Sequence, residues 1–442
     1  MNRPARIAFL SEHASPLALL GGVDAGGQNV YVDEVSRNLA TQGYLVDIFT
    51  RRDHPDLPAI VDWAPGVRVI HVPAGPAEFR LKDDLWPLMP EFCDACQQLM
   101  EREEARYDLI HGNFWMSGWV AVELRRRLKI PAVQIFHALG KTKKRHQGRA
   151  DNSPAERVEV EHYVIREADR LIAQCPAEQR ELIDDYGADP RKIVVIPSAV
   201  NSEVFRPVSR EEARRFVGLD QREFVVVYVG RMLPRKDVRN VVRAMALLVQ
   251  RSATRRRPAL RLLLVGGDTV EPDPLATPEI HVLQMLAAEL GISSYVQFVG
   301  KRQQDVLRYY YCAGDVVVTT PWYEPFGLTP LEGMACGRPV IGSAVGGIPF
   351  TIADGETGFL VPPRDPETLA SHLLLLLMHP RLREQMGEQA RRRVEQHFSW
   401  PTVAQRTARL YEALLAESTA IAPSSPLADS SSSRGGRDYG SR

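Results

Sequence analysis

At 442 residues the chain is long enough for more than one domain, since single domains run to roughly 150 residues. Its 44% hydrophobic and 25% charged residues are ordinary for a folded globular protein and exclude a fibrous repeat or disorder through most of the length. Lys plus Arg (55) balances Asp plus Glu (55), so no whole-molecule field draws in nucleic acid, and an ionic ligand must be met by a local patch.

Residues Met1–Leu10 read as a polar start leading into a strand, without the apolar core and cleavage site of a signal peptide. The apolar run Leu373–Met378 is far short of the roughly 20 residues that span a bilayer, and the sequence predicts a cytoplasmic protein. Cys93, Cys96, Cys175, Cys312 and Cys336 are odd in number and scattered, which suits reduced thiols. The Cys93-x-x-Cys96 pair falls in a helical pattern with no second pair and reads as helix packing.

Short β-branched runs then alternate with amphipathic stretches: RIAFL, a helix from about Gln28, LVDIFT, VRVIHV, DLIHG, AVQIFH, RLIAQ and KIVVIP. After the loop PSAVNSEVFRPVS the pattern restarts with FVVVYVG, a helix from about Asp237, RLLLVGG, YVQFVG, DVVVTT and RPVIGSA. This βα repetition predicts two similar α/β domains joined near residue 205, each a mainly parallel sheet with helices on both faces. The helix-rich segment Pro366–Glu395 is followed by Trp400 and Pro401, where a last helix begins, running to about Glu417. The Ser-, Gly- and Arg-rich tail from Ser418 is predicted to be disordered.

Ligands of open parallel sheets bind beyond the carboxyl ends of the strands, so the strand-exit loops hold the candidates. In Thr319–Val340 the run Thr329-Pro330-Leu331-Glu332 has the spacing of a capping box, and a helix start with its unpaired N–H groups suits a diphosphate. Gly327 permits close approach of a ligand, whereas Glu324, beside Pro325 and Phe326, has no capping work to do. Arg231 and Lys236 follow FVVVYVG and can converge on a pyrophosphate. Gly26, Gly27, Gln28 and Asn29 open the first helix with backbone amides free for an anion, yet match neither G-x-G-x-x-G nor a P-loop. His111 and His137 end strands; His137, near Gly140 and Lys143, is placed to touch a polar substrate. The basic runs Arg125–Lys129 and Lys141–Arg149 are the kind that usually face solvent, although the second would also suit a phosphorylated substrate or an anionic membrane surface. With no H-E-x-x-H and no acidic triad in these loops, neither a protein-ligated metal nor another cofactor is expected.

Taken together, EPFGLTPLE followed by A-C-G-x-P-V resembles the retaining nucleotide-sugar glycosyltransferases of group 1, with the GT-B fold, and the resemblance covers about residues 5–417. DAGGQNVYV, HGNFW and HALGKTK are similar to the branch containing sucrose-phosphate synthase and the inositol-phosphate N-acetylglucosaminyltransferase of mycothiol synthesis. The resemblance implies two facing Rossmann-like domains: residues 1–204 for the acceptor, 205–398 for the nucleotide sugar, a helix over 399–417 returning to the first domain, and the tail 418–442. It implies that Glu324 and the backbone at Phe326 and Gly327 hold sugar hydroxyls, that Glu332 holds the ribose, and that Arg231 and Lys236 hold the diphosphate. Leu328, Thr329 and Gly27 complete the donor side, and His137 lies against the reacting sugar. The base would sit near Gly300–Arg302. Gln28, Asn29, Lys82, Lys143 and Arg157 would be acceptor contacts. Two positions depart from these relatives, Phe114 for a tyrosine and Ala138 for a Ser or Thr. Both remove hydroxyls while the cations remain, which leaves a phosphorylated acceptor open. The implied reaction moves a hexosyl group from a nucleotide-diphosphate sugar, such as a UDP-sugar, to a hydroxyl of a small acceptor, with retention and without a metal. A nucleotide-sugar 2-epimerase of the same fold, or a non-catalytic sugar-nucleotide-binding subunit, fits the intact constellation less well.

Overall fold

The computed structural model describes residues 3–18, 26–102, 106–148, 151–253 and 259–421. The first sheet contains β1 (Arg6–Leu10), β2 (Leu45–Arg51), β3 (Ile60–Ala64), β4 (Val67–Val72), β5 (Leu109–Asn113), β6 (Ala132–Ile135), β7 (Arg170–Ala173) and β8 (Ile193–Val195). Their spatial order is β3-β4-β2-β1-β5-β6-β7-β8. The second sheet contains β9 (Phe224–Val229), β10 (Leu260–Val265), β11 (Val296–Gly300), β12 (Val316–Thr319), β13 (Val340–Ser343) and β14 (Gly358–Val361), ordered β11-β10-β9-β12-β13-β14. Strands such as β9 are apolar and buried throughout because helices cover both faces of a parallel sheet.

Every pairing is parallel except β3 with β4. This edge hairpin, turning at Gly66, leaves the sheet mainly parallel, as expected; β3 is half-exposed and gives only a weak apolar run. The strand order reverses beside β1 and β5 in the first sheet and beside β9 and β12 in the second. Helices diverge from such a switch point and leave a crevice at the carboxyl ends of the strands. The loops after β1, β9 and β12 are those the sequence singled out.

The helix Trp400–Ile421 returns to the first sheet. Val200 N–H donates to Phe398 O at 3.0 Å, and Trp400 then packs edge-on against Tyr31 with ring centroids 6.0 Å apart. Trp400, Val403, Ala404 and Tyr411 are buried with Ile7, Val35 and Val46, each large apolar side chain contributing about 1.5–3 kcal/mol. This helix runs past Glu417 to Ile421. The remainder of the tail expected to be disordered lies outside the described residues.

Cys93 and Cys96 are fully buried in the helix Met89–Arg102, as packing requires, and burial pushes the Cys93 thiol up to about 12. The basic runs are largely paired: Arg125 with Asp169, Arg126 with Glu123, Arg127 with Asp94 and Arg145 with Asp185. Lys141 lies over the Tyr186 ring. Among the described residues no helix is long and apolar enough to cross a membrane.

Candidate active site

The loop after β12 is held from three directions. Trp322 N–H donates to Arg235 O at 2.9 Å, Ser343 Oγ donates to Pro321 O at 2.7 Å, and Gly347 N–H donates to Glu324 O at 3.2 Å. Gly346 is required there, since a Cβ would fall 1.8 Å from the Glu324 carbonyl oxygen. Gly327, at φ +92°, turns the chain into the helix Leu328–Ala335. The helix therefore starts before Thr329, so Thr329-Pro330-Leu331-Glu332 is not a capping box. Glu332 lies inside the helix and accepts a hydrogen bond from the Tyr311 hydroxyl at 2.5 Å. Burial raises its carboxyl above the usual range. The first-turn N–H groups of this helix have no intrahelical acceptor and open onto the cleft.

Lys236 makes an ion pair with Glu324, each side chain being 17% exposed. Both line a cavity of about 320 Å³ that also includes His137, Gln28, Gly327 and Thr329. A second cavity of about 330 Å³ brings Glu332 together with Gly26, Lys301, Arg302 and Gln303. Gly27 and Leu328 line both, making them compartments of one cleft between the two sheets. A Cβ on Gly27 would lie 3.3 Å from Leu328 Cδ1, so the glycine permits this approach. Arg231 stands exposed at the exit of β9 and is not among the residues lining either compartment.

His137 takes up φ +59°, which is sparsely populated for a non-glycine residue. Burial, aided by the nearby His111 and His13, lowers its pKa to about 3, and the ring is neutral at ordinary pH. The Asn113 amide donates to Leu10 O and His111 O, leaving Oδ1 to accept from His137 Nε2–H at 3.2 Å. That assignment leaves His137 Nδ1 as an acceptor. His111 is instead a core residue: it is fully buried, bonded to the Tyr411 hydroxyl, and pushed down to about 3 by burial.

Several expected acceptor contacts have other work. Asn29 is buried; it accepts from Gly26 N–H and donates to Ser15 O, closing its own loop. Arg157 is 2% exposed and donates to Glu161, Ser153 and Ala138 O while lying over the Phe114 ring. Lys143 pairs with Asp151 at 2.9 Å and Ser153 Oγ at 2.9 Å. Lys82 sits in the short turn Lys82–Asp84, outside the lining of both compartments.

Sequence reasoning missed Gln174 and Ser198, which line the Glu324 compartment from the ends of β7 and β8. Their only signal was position after a strand. It also missed two contacts across the cleft: His146 stacked on Tyr323 at 4.5 Å, and Cys175 Sγ with Pro325 O at 3.5 Å.

Two Rossmann-like domains that face each other, with a helix start, an acidic residue and a lysine lining the cleft, define the GT-B class of glycosyltransferases. Two family models match: "Glycosyl transferase 4-like domain" over residues 26–199 and "Glycosyl transferases group 1" over residues 209–393. The chain is 39% identical to the D-inositol 3-phosphate glycosyltransferase of Geodermatophilus obscurus, covering 94% of this chain and 91% of that one. It is 40% identical to that of Kineococcus radiotolerans, with 92% and 94% covered. Sucrose-phosphate synthase of Thermosynechococcus elongatus superposes with a TM-score of 0.80 at 35% identity, over 93% of this chain and 100% of that structure. The chain belongs to the group 1 glycosyltransferases and is an enzyme that transfers a sugar from a nucleotide sugar.

Proposed function

We propose that this protein is a retaining, metal-independent hexosyltransferase that moves a sugar from a nucleotide diphosphate, such as UDP, to a hydroxyl of a small acceptor. The observation that carries the reading is the compartment in which Glu324, Lys236, His137 and the start of the helix Leu328–Ala335 converge. Lys236 and the first-turn N–H groups hold the diphosphate, with Arg231 swinging in from the rim, and they stabilise the charge that grows on the leaving group. Glu324 turns to the sugar hydroxyls when phosphate takes over Lys236. Glu332 holds the ribose, and Lys301 and Arg302 flank the base.

A neutral His137 cannot serve as the acid, so it positions the sugar through hydrogen bonds. The bond between the anomeric carbon and the diphosphate oxygen breaks, and the acceptor oxygen bonds to the same face. Its proton passes to the departing diphosphate oxygen, which preserves the anomeric configuration. The curated relatives, named for D-inositol 3-phosphate, support an acceptor rich in hydroxyls. Five buried, unpaired cysteines suit a reducing compartment, and we place the enzyme in the cytoplasm.

The test is a thermal-shift screen against UDP-, GDP- and ADP-sugars and their free diphosphates, followed by transfer assays. A ligand at 100 times its Kd adds about 2.7 kcal/mol. A shift with one base and loss of transfer in Glu324→Ala are expected. No shift with any donor, or full activity in that variant, overturns the reading.

A further inference from the structure

Two of the three cations expected to meet an acceptor phosphate, Arg157 and Lys143, are already neutralised. Arg157 is buried against Glu161, which is itself fully buried and also accepts from Gly140 N–H and the Tyr186 hydroxyl. Lys143 faces Asp151 and, at 3.9 Å, Asp83. Two cations thus meet three carboxylates, and a phosphate dianion entering there would have to displace one of them. Phe114 and Ala138 supply no hydroxyl in compensation.

On the other side of His13 lies a separate cavity of about 150 Å³, whose lining includes His13, Thr50, Arg51, Asp53, His71 and Phe79. It adjoins the donor cleft: Ala18 lines both this cavity and the one holding Glu332. Its lining offers hydrogen-bonding groups suited to hydroxyls. His13 Nδ1 is bonded to the Glu12 carboxylate at 2.8 Å, and His71 Nδ1 to Pro58 O at 2.6 Å. Nδ1 of each ring is thus engaged, and Nε2 is the ring nitrogen left to meet a hydroxyl. Asp53 adds an exposed carboxylate.

The arginines of this cavity are committed elsewhere. Arg51 donates to the carbonyls of Ala74, Pro76 and Glu78, and Arg80 pairs with the Glu78 carboxylate at 2.8 Å. At the rim the Phe79 ring is 63% exposed. An apolar ring beside several hydrogen-bonding groups fits a sugar, which offers a hydrophobic C–H face and a belt of hydroxyls.

Building on the glycosyltransferase reading, we infer that the acceptor is an unphosphorylated polyhydroxyl compound, a sugar or glycoside, and that the cavity of His13, His71, Asp53 and Phe79 holds it. Dianionic phosphate is disfavoured there by Asp53 and Glu12, and the Arg51 and Arg80 donors are already engaged by Ala74, Pro76 and Glu78.

The experiment compares matched acceptors, methyl glucoside and glucose against glucose 6-phosphate and inositol against inositol 3-phosphate, using UDP-, GDP- and ADP-glucose as donors. Nucleotide release without acceptor is followed in parallel. The neutral member of each pair should have at least tenfold higher kcat/KM. In Phe79→Ala, whose exposed ring is not needed for folding, the ratio of transfer to donor hydrolysis should fall at least fivefold, and Asp53→Asn should lower it in the same direction. Preference for the phosphorylated partners, or an unchanged ratio in both variants, overturns the inference while leaving the transferase reading intact. Absence of both hydrolysis and transfer with every donor overturns both.

Discussion

Replacing Glu324 with glutamine should separate nucleotide binding from sugar transfer. Lys236 is neutralised by Glu324, with only 17% of each side chain exposed. A diphosphate must compete for that lysine and also enter the field of the carboxylate. Freeing the lysine is worth about 1 kcal/mol for a partly screened pair. Removing a unit negative charge about 8 Å from one phosphate charge, at an effective dielectric of about 20, gives about 2 kcal/mol, which screening roughly halves. Together these predict UDP bound about 10–30-fold more tightly by Glu324→Gln, at 1.4 kcal/mol per factor of ten. Transfer should move the other way. The amide loses charge-assisted bonds to sugar hydroxyls worth about 1.5–3 kcal/mol each, so kcat should fall by about 10² or more. Titration calorimetry with free UDP, GDP and ADP and a transfer assay on the same preparation read both quantities. Unchanged or weaker diphosphate binding, or kcat within tenfold of wild type, would refute this account of the pair.

Burial pushes the Glu178 carboxyl up to about 7, and its Oε1 has no partner among the described residues. The folded state then holds a proton that the unfolded chain releases above its ordinary value of about 4.5, so stability falls as pH rises from about 4.5 to 7 and levels off above. Glu178→Gln should flatten that slope and melt higher than wild type at pH 8 but not at pH 4; parallel slopes in calorimetry would contradict the assignment. Tyr411→Phe removes the partner of the buried His111 and should cost about 1–3 kcal/mol in urea unfolding; a loss below 0.5 kcal/mol, roughly the scale of a neutral surface change, would remove this bond from the anchoring of the last helix. Arg157→Ala leaves Glu161 as an uncompensated buried charge and should cost about 3–5 kcal/mol. Near-native stability with a large rise in acceptor KM would instead make Arg157 a ligand cation.

Much of the architecture was legible because it rests on local periodicity. Continuous apolar runs such as FVVVYV and VVVT could only be strands covered on both faces, and their alternation with amphipathic helices required parallel sheets. The half-exposed β3 and the short β14 escaped, since neither carries a strong alternating or continuous pattern. At the site, Glu324, Lys236 and Glu332 were legible from motif spacing and from their place after strands. The role of Glu332 at the helix start was misread, because the left-handed turn at Gly327, which spacing does not report, begins the helix earlier.

By itself, then, the sequence determined the parallel sheets, their exit loops and the residues of those loops that line the cleft, all of which depend on neighbours close along the chain. Tertiary structure alone decided which charges remain free to meet a ligand. Lys143 and Arg157 look like an anion site in one dimension, yet Asp151, Asp83 and Glu161 fold against them and cancel their charge. Tertiary structure alone also brought Glu332 opposite Gly26 and placed His13 and His71 around one cavity, since those residues lie on separate strands and loops and meet only when the sheets assemble. An ion pair or a cavity wall depends on distance in space, and no local pattern of residues encodes that distance.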